Sequence, residues 1–246
     1  MPPDSPHLST SPDIAGRLEQ GNLVAVLPIG AFEQHGAHLP LTTDTLLADG
    51  VAHRLAAALD AWLLAPVAYG DAWNNEGFAG TLSISSDTLR AIIVDLGQGL
   101  RRMGVAGLVV VNGHFGNREP IALAARALAA AGLPVLHLDY PGLDRIADEL
   151  ADTAPAGPGF FHADEIETSM LLALSPDLVR MDLAVASYPS FPPTYGMEPI
   201  KLDSFNPAGV FGDPRTATAA KGEAIINRIV SNSLDLVAEW RARHGI

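Results

Sequence analysis

Residues 107–112 read Gly107-Leu-Val-Val-Val-Asn112, a continuous apolar run rich in β-branched side chains and the clearest strand signal in the chain. A run of this length without polar alternation is typical of a strand that is buried on both faces. Similar short apolar runs occur at residues 23–27, 62–67 and 133–139. We therefore expect a sheet that is covered by helices on both sides.

Segments with the helical spacing of apolar residues separate these runs. We predict helices over residues 12–20, 44–59, 88–103 and 120–131, a further helix after residue 139, and a last one over residues 218–243. Strands that alternate with helices indicate parallel βαβ units. The sequence thus predicts an α/β fold, a three-layer α/β/α sandwich with a mainly parallel sheet, in a single domain over residues 1–246. Residues 187–213 are long, irregular and rich in proline, glycine and aromatic side chains, which is typical of a functional loop.

The composition excludes several classes of protein. The 246 residues carry a formal net charge of −13, and no basic run is longer than Arg101-Arg102, so we expect no nucleic-acid partner. Because cysteine is absent, any metal must be bound by histidine and carboxylate side chains. The N-terminal residues lack a basic region followed by an apolar stretch, and no apolar run approaches the ~20 residues that span a bilayer. A cytoplasmic protein without a membrane partner is the expectation.

The loop after residues 23–27 concentrates chemically active side chains. Glu33, His35, His38 and Asp44 all lie in or beside it. Glu33 and His35 are two positions apart and point the same way in an extended segment. Carboxylates and imidazoles together suit Zn, Mn or Fe(II). The structural alternative is that Asp44 only caps the next helix and that the histidines bond to backbone carbonyl groups.

Two further clusters lie where predicted elements end or begin. His114 directly follows residues 107–112, at the sheet edge where α/β proteins bind ligands, although a histidine there also serves as an ordinary turn residue. Asp164 and Glu167 have the spacing of a capping box at a helix start. If Glu167 turns inward instead, it supplies a third carboxylate, with His162 near it as a proton donor or acceptor.

Taken together, the three clusters favour a catalytic site. Two imidazoles and three carboxylates suit two divalent ions about 3.5 to 4 Å apart with one shared carboxylate, the arrangement used for metal-assisted hydrolysis. Motifs of serine hydrolases, zincins and nucleotide-binding proteins are missing from the sequence. The expected ligands are Glu33, His35, Asp44, His114 and Glu167.

Five segments of the chain resemble the creatinine amidohydrolase (creatininase) family. They are LPIGAFEQHGAHLPLTTDT, GFAGTLSIS, VVVNGHFGN, HADEIETSMLLALSPDLV and GVFGDPRTATAAKGE, and the match extends over about residues 27–223. The resemblance implies a three-layer α/β hydrolase with a binuclear divalent metal centre, often assembled as a homohexamer. The five expected ligands match family metal ligands, with Asp44 as the bridge, and His162 matches the catalytic histidine.

The resemblance also implies an activity. It is cleavage of a C–N bond in a small cyclic amide by attack of a metal-bound hydroxide, with His162 passing a proton to the leaving nitrogen. Two Zn²⁺ and/or Mn²⁺ ions per chain are the expected cofactors, and Fe²⁺ suits the same ligands. Two alternatives stay open: ring-opening hydrolysis of a cyclic keto-polyol or other non-amide substrate, and a non-catalytic metal-binding α/β module.

The chain departs from creatininase itself at three places. Creatininase has a carboxylate at the position of Gly116. In this respect the chain looks more like the family branches that contain mycofactocin-system peptidases and formamide deformylases. No tryptophan lies between Leu133 and His162, and Asn74-Asn75-Glu76 replaces a frequent histidine, so creatinine is not the expected substrate. The side chains expected to contact substrate are Trp73, Asn75, Glu76, Phe78 and Tyr195.

An alternative explanation applies to the aromatic members of that set. Trp73 and Phe78 then only cover edges of the core. Residues 191–195, Phe-Pro-Pro-Thr-Tyr, then form a rigid turn or a subunit contact.

Overall fold

The computed structural model describes residues 9–246, so the expectation about the N-terminal segment falls mainly on residues 1–8, outside the described range. Within that range one sheet holds four strands, in the order β2-β1-β3-β4, and every neighbouring pair is parallel. The predicted parallel sheet is confirmed. The strands are β1 (Val24–Ile29), β2 (Trp62–Leu63), β3 (Gly107–Asn112) and β4 (Val135–Leu138).

Helices lie at all the predicted places. None of those in residues 9–246 combines the length and the apolar character that crossing a bilayer requires. Their bounds are α1 (Ser11–Glu19), α2 (Thr43–Leu59), α3 (Ser86–Met103), α4 (Arg118–Ala130), α5 (Leu143–Leu150), α6 (Glu165–Leu174) and α7 (Ala219–His244).

The sheet has a hydrophobic core on each face, because successive side chains of a strand point to opposite sides. Val24 and Val26 of β1 pack into the core formed with α2, α5, α6 and α7. Ala25 and Leu27 pack into the second core, formed with α3 and α4. The three-layer α/β/α arrangement expected from the sequence is confirmed.

Two strands are shorter than predicted, and a proline lies at each difference. The apolar run 62–67 contributes only Trp62–Leu63 to β2, because Pro66 has no N–H group to donate to the sheet; Val67 returns as an isolated bridge to Ile29. Residues 133–139 contribute Val135–Leu138, which begins after Pro134. The apolar pattern predicted the strands, and a proline accompanies the early end of β2 and the late start of β4.

The carboxyl ends of the strands form one edge, which Asn117 ties together. This residue is fully buried. Its side-chain N–H donates to the Gly30 carbonyl oxygen after β1 (2.9 Å), and its side-chain oxygen accepts from the backbone N–H of Asp71 (3.0 Å). The loops that follow β1, β2 and β3 are therefore held at fixed positions relative to one another.

Helix α6 is held against α7 at a glycine. A Cβ atom on Gly222 would lie 1.8 Å from the Ser169 carbonyl oxygen, so the two backbones approach too closely for any side chain. At the neighbouring position, the backbone N–H of Thr218 donates to the Ser169 side chain (3.2 Å). The position of α6, and with it Glu167, depends on this contact.

We predict that Gly222→Ala lowers the free energy of unfolding by about 1–3 kcal/mol, because the added methyl group forces α6 and α7 apart. The matched control is Gly99→Ala in α3, where the nearest atom is 3.8 Å away. That change should stabilise the protein by about 0.5–1 kcal/mol, because alanine is favoured over glycine inside a helix by this amount. Urea denaturation measures both, and equal stabilisation by the two variants would contradict the close contact.

Candidate metal centre

His35 is oriented by its own loop. Its Nδ1 lies 3.1 Å from the Glu33 carbonyl oxygen, and a carbonyl oxygen only accepts, so Nδ1 carries the hydrogen. The lone pair of the neutral ring is then on Nε2, which faces the interior of the cluster. His35 and Glu33 are both buried. A histidine whose outer nitrogen donates to a carbonyl group is the usual form of a metal ligand.

His114, at the end of β3, is also oriented by a backbone carbonyl group, but here Nε2 is the donor and Nδ1 faces the cluster. Its Nε2 donates to the Asp71 carbonyl oxygen (2.9 Å), so the lone pair is on Nδ1. Nδ1 lies 3.3 Å from Glu33 Oε1 and 3.1 Å from Asp44 Oδ2. The interpretation of His114 as a plain turn residue does not account for this arrangement.

Asp44 is not the helix cap that the structural alternative required. Thr42 occupies the cap position of α2, and Asp44 is the second residue of the helix with its side chain buried.

At the start of α6, a capping carboxylate and an inward-facing carboxylate are both present. Asp164 accepts from the backbone N–H groups of Ile166 and Glu167, as predicted for a cap. The Glu167 carboxylate accepts from the Ala163 N–H (2.6 Å) and also lies 3.6 Å from His35 Nε2.

The ligand atoms converge on shared points, and two of them have no hydrogen-bond partner. His35 Nε2 and Asp44 Oδ1 are 2.9 Å apart, yet His35 Nε2 and Asp44 Oδ2 are buried without a partner in hydrogen-bond geometry. Orphaned buried polar atoms are rare and need an explanation, and a bound ion is one that fits a cluster of carboxylates and imidazoles. Two groups of ligand atoms, each within 4.8 Å, share Asp44: one adds Glu33 and His114, and the other adds His35 and Glu167. This donor set fits two divalent cations with a bridging carboxylate.

The same charges shift the pKa values of the cluster. Burial opposes protonation of His35, but the carboxylates of Asp44 and Glu167 outweigh it and raise the pKa of His35 to about 10. Burial raises the pKa of Glu167 to about 8, against the charge of His35. The pKa of Asp44 stays well below its usual range, because the charges of His35 and His114 outweigh burial. Without cations, protons occupy part of the cluster.

His162 lies beside the cluster and is buried. Its Nδ1 is 3.6 Å from Glu33 Oε1, and its Nε2 is 2.8 Å from the side-chain nitrogen of Gln34. Burial, together with the positive charge of His35, lowers the pKa of His162 to about 4. The ring is therefore neutral at physiological pH.

The cluster opens into a cavity of about 860 Å³. Of the side chains expected to contact substrate, Trp73, Asn75, Glu76 and Tyr195 line this cavity, whereas Phe78 is not among its lining residues. Asn75 is buried and donates to Glu33 Oε2 (2.9 Å), so it also orients a candidate ligand. The structure thus brings four of the five candidates to the mouth of the cluster.

The space beside His114 is closed at Gly116, where the sequence resemblance predicted a departure from creatininase. A Cβ atom on Gly116 would lie 2.1 Å from the Asp71 carbonyl oxygen and 2.7 Å from His114 Nε2. The Asp71 backbone occupies the place of a side chain at this position. No carboxylate fits there unless the loop after β2 moves.

The long loop 187–213 packs against the segment that carries His162. Phe191 contacts Phe160, with ring centroids 5.4 Å apart, and the Phe211 backbone N–H donates to the His162 carbonyl oxygen (3.0 Å). Tyr195 contacts Phe160 as well, at 6.3 Å, and its side chain also lines the cavity. The loop is therefore an aromatic support for His162, and its residues Tyr195 and Leu202 line the cavity.

Gln34 and Asp71 contribute to the site but did not stand out in the sequence. Asp71 acts through its backbone oxygen, which no residue type signals. Gln34 lies between two expected ligands, and this position is the only feature of the sequence that could have indicated its role.

Fold and site together define a three-layer α/β protein with a buried candidate centre for divalent cations at the carboxyl edge of its sheet. The chain belongs to the creatininase family: the family model described as creatinine amidohydrolase matches residues 7–237. The resemblance found in the sequence is confirmed, and with it hydrolase chemistry as the activity of the family.

Relatives and solved structures agree with this assignment. The chain is 37% identical over 232 residues to a mycofactocin precursor peptide peptidase of Mycolicibacterium smegmatis, covering 91% of this chain and 88% of that protein. It is 32% identical over 238 residues to a creatinine amidohydrolase of Pseudomonas putida, with 91% and 92% covered. A solved structure of a creatininase mutant, described as Zn-Zn type, superposes with a TM-score of 0.82 at 32% identity, over 94% of this chain and 96% of that chain.

We predict that Asp44→Asn loses both metal ions and that Glu167→Gln loses one, because Asp44 belongs to both ligand groups and Glu167 to one. Elemental analysis of protein purified without chelators measures the ions per chain. Asp95→Asn, on the exposed face of α3, is the matched control and should keep the wild-type content. Wild-type metal content in Asp44→Asn would contradict the shared-carboxylate arrangement.

We further predict that metal affinity rises with pH between about 6 and 8.5. The pKa of His35 is raised to about 10 and that of Glu167 to about 8, so both groups are largely protonated at pH 6 to 7 in the metal-free protein. A cation must displace those protons, and fewer remain as the pH rises. Calorimetric titration in buffers of different ionisation enthalpy should show proton release, and a pH-independent affinity without release would rule this account out.

Proposed function

We propose that the protein is a metal-dependent amidohydrolase. Two divalent cations, Zn²⁺ and/or Mn²⁺ with Fe²⁺ as a further fit, would be held by the five clustered ligands, with Asp44 as the bridge. The observation that carries this proposal is the pair of ligand groups that share Asp44, in which His35 Nε2 and Asp44 Oδ2 are buried without a hydrogen-bond partner. Such cations supply Lewis acidity, which activates water and polarises a carbonyl group.

The chain's own residues supply the rest of the reaction. Hydrolysis of an amide joins the water oxygen to the carbonyl carbon, breaks the C–N bond and leaves a proton on the departing nitrogen. We propose His162 as the catalytic residue, because it lines the cavity with Nδ1 directed towards Glu33 Oε1. Asn75 holds Glu33 in place, and the aromatic contacts of loop 187–213 fix the backbone of His162. A site with a buried, uncoordinated imidazole favours catalysis over a plain metal-binding module.

The substrate proposed first is a small cyclic amide, the class that the resemblance implies. A peptide amide is the second candidate, and the volume of the cavity favours it: about 860 Å³ is more than a single small ring requires. The similarity to proteins described as peptide peptidases supports the same candidate. The closed space at Gly116 further separates this site from that of creatininase.

We also propose that the chain assembles as a homo-oligomer, as the resemblance implies. Tyr69 and Leu82 are 45% and 55% exposed. The ring of half-buried Phe32 lies 5.5 Å from that of Tyr69, and Phe32 pairs with Leu82 in an isolated bridge, so the three apolar side chains are neighbours. Patches of this kind favour association.

The proposed function is tested with a panel of cyclic amides, short peptides and cyclic ketones, assayed with Mn²⁺ or Zn²⁺. We expect turnover of an amide, and a loss of about 10²–10⁴-fold in kcat for His162→Asn with the metal content unchanged. His244→Asn, on the exposed end of α7, is the control and should behave like the wild type. Turnover of ketones alone would overturn the amidohydrolase proposal, and full activity of His162→Asn would overturn the role of His162.

A further inference from the structure

The side-chain amide of Gln34 is fixed from both ends by backbone groups. Its oxygen accepts from the Gly36 N–H (2.9 Å), and its nitrogen donates to the Gly209 carbonyl oxygen (3.2 Å). A backbone N–H only donates and a backbone oxygen only accepts, so a flipped amide would lose both bonds. The side chain is also buried, at 6% exposed, and water does not compete for these bonds. The nitrogen of Gln34 is therefore a donor on the side that faces His162.

The Nε2 atom of His162 lies 2.8 Å from that nitrogen. Because an amide nitrogen donates and does not accept, the contact is a hydrogen bond only if His162 Nε2 has a free lone pair. The third neighbour of the Gln34 nitrogen, Asn75 Oδ1 at 3.0 Å, is an acceptor too, since the Asn75 nitrogen donates to Glu33 Oε2. In the described part of the chain, the two hydrogens of the Gln34 nitrogen are therefore shared among three contacts, and the Gly209 and Asn75 oxygens among them can only accept.

We infer that Gln34 is a positioning residue that holds neutral His162 with its hydrogen on Nδ1, so that this N–H faces the cluster, 3.6 Å from Glu33 Oε1, and His162 does not bind a cation. This assignment separates His162 from the two histidines of the proposed ligand set. The outer nitrogens of His35 and His114 donate to carbonyl oxygens, which leaves their inner nitrogens free to bind. The outer nitrogen of His162 meets a donor, which places the hydrogen on the inner one.

Distance alone would permit the opposite assignment. Glu33, His35 and His162 have ligand atoms within 4.8 Å of one another, so they form a third candidate group for an ion. Binding through Nδ1 would need the lone pair there and the hydrogen on Nε2. That hydrogen would face the Gln34 N–H across 2.8 Å, which sets two donors against each other. The partner of the outer nitrogen thus decides which imidazoles bind metal.

The catalytic consequence rests on the proposed function, whereas the tautomer does not. In amide hydrolysis negative charge develops on the carbonyl oxygen, and a fixed neutral N–H donor stabilises it. The resemblance implied that His162 passes a proton to the leaving nitrogen. A shuttle through Nδ1 would require a lone pair there, and Gln34 directs the lone pair to Nε2. His162 therefore acts as a hydrogen-bond donor to the reacting group.

Nitrogen-15 NMR of the histidine rings tests the tautomer directly, in the full chain and without any substrate. The His162 signals are assigned by their loss in His162→Asn. We expect a protonated Nδ1 and an unprotonated Nε2, both before and after saturation with Zn²⁺. His35 Nε2 and His114 Nδ1 serve as internal references and should shift when Zn²⁺ binds. A protonated Nε2, or a His162 Nδ1 that shifts as the ligand nitrogens do, would overturn the inference.

Gln34→Glu adds a test of cause, because the carboxylate offers His162 Nε2 an acceptor of nearly the same shape. We expect the hydrogen to move to Nε2. We also expect kcat to fall about 10²-fold, which is the effect of losing one oxyanion donor, with a smaller change in KM. Gln98→Glu, where Gln98 only accepts from Arg101 on α3, is the matched control for the added charge. A wild-type tautomer and wild-type kcat in Gln34→Glu would contradict the role of Gln34.

The two proposals fail separately in these experiments. If the wild-type spectrum shows the hydrogen on Nδ1 but no amide is cleaved, the proposed function fails and the role of Gln34 stands. If amides are cleaved while His162 binds Zn²⁺, the hydrolase stands and the inference on Gln34 fails. Because the wild-type spectrum needs no variant, the test does not depend on whether Gln34→Glu folds.

Discussion

The site depends on the burial of more carboxylates and imidazoles than can satisfy one another. Glu33, His35, Asp44 and Glu167 are all nearly inaccessible to solvent, and two of their polar atoms lack a hydrogen-bond partner. Burying such groups costs several kcal/mol per charge unless opposite charge compensates it. In the metal-free protein the compensation comes from protons, as the raised pKa of His35 shows. Two divalent cations would replace those protons and use the atoms that are left over.

The fold holds these groups together through backbone contacts at one sheet edge. Asn117 ties the loops after β1, β2 and β3, and the Asp71 carbonyl oxygen both orients His114 and closes the space beside Gly116. The close contact at Gly222 places α6, which carries Glu167. The site is therefore assembled from loops and helix starts whose positions are fixed by a few backbone bonds. Each imidazole takes its role from the partner of its outer nitrogen, a carbonyl group for His35 and an amide donor for His162.

Apolar patterning was enough to predict the layers of the fold, because continuous β-branched runs such as Gly107–Asn112 have few other uses in a globular chain. It did not predict where β2 ends, since that depends on one missing N–H group at Pro66. The positions of the five candidate ligands at predicted strand ends and helix starts identified them in the sequence, and in the structure they lie together. The roles of Gln34 and Asp71 depend on which atoms face one another across distant loops. No spacing encodes that, because Asp71 acts through its backbone and Gln34 through an amide orientation that Gly209, far along the chain, fixes.

The central claim is that Asp44 is shared by two metal ions while His162 stays outside their ligand sets. Anomalous diffraction from crystals grown with Zn²⁺, recorded on both sides of the zinc absorption edge, tests it most directly. The account predicts two anomalous peaks on either side of the Asp44 carboxylate, one reached by Glu33 and His114 and the other by His35 and Glu167. A single peak, peaks away from this cluster, or a peak within bonding distance of a His162 nitrogen would contradict it.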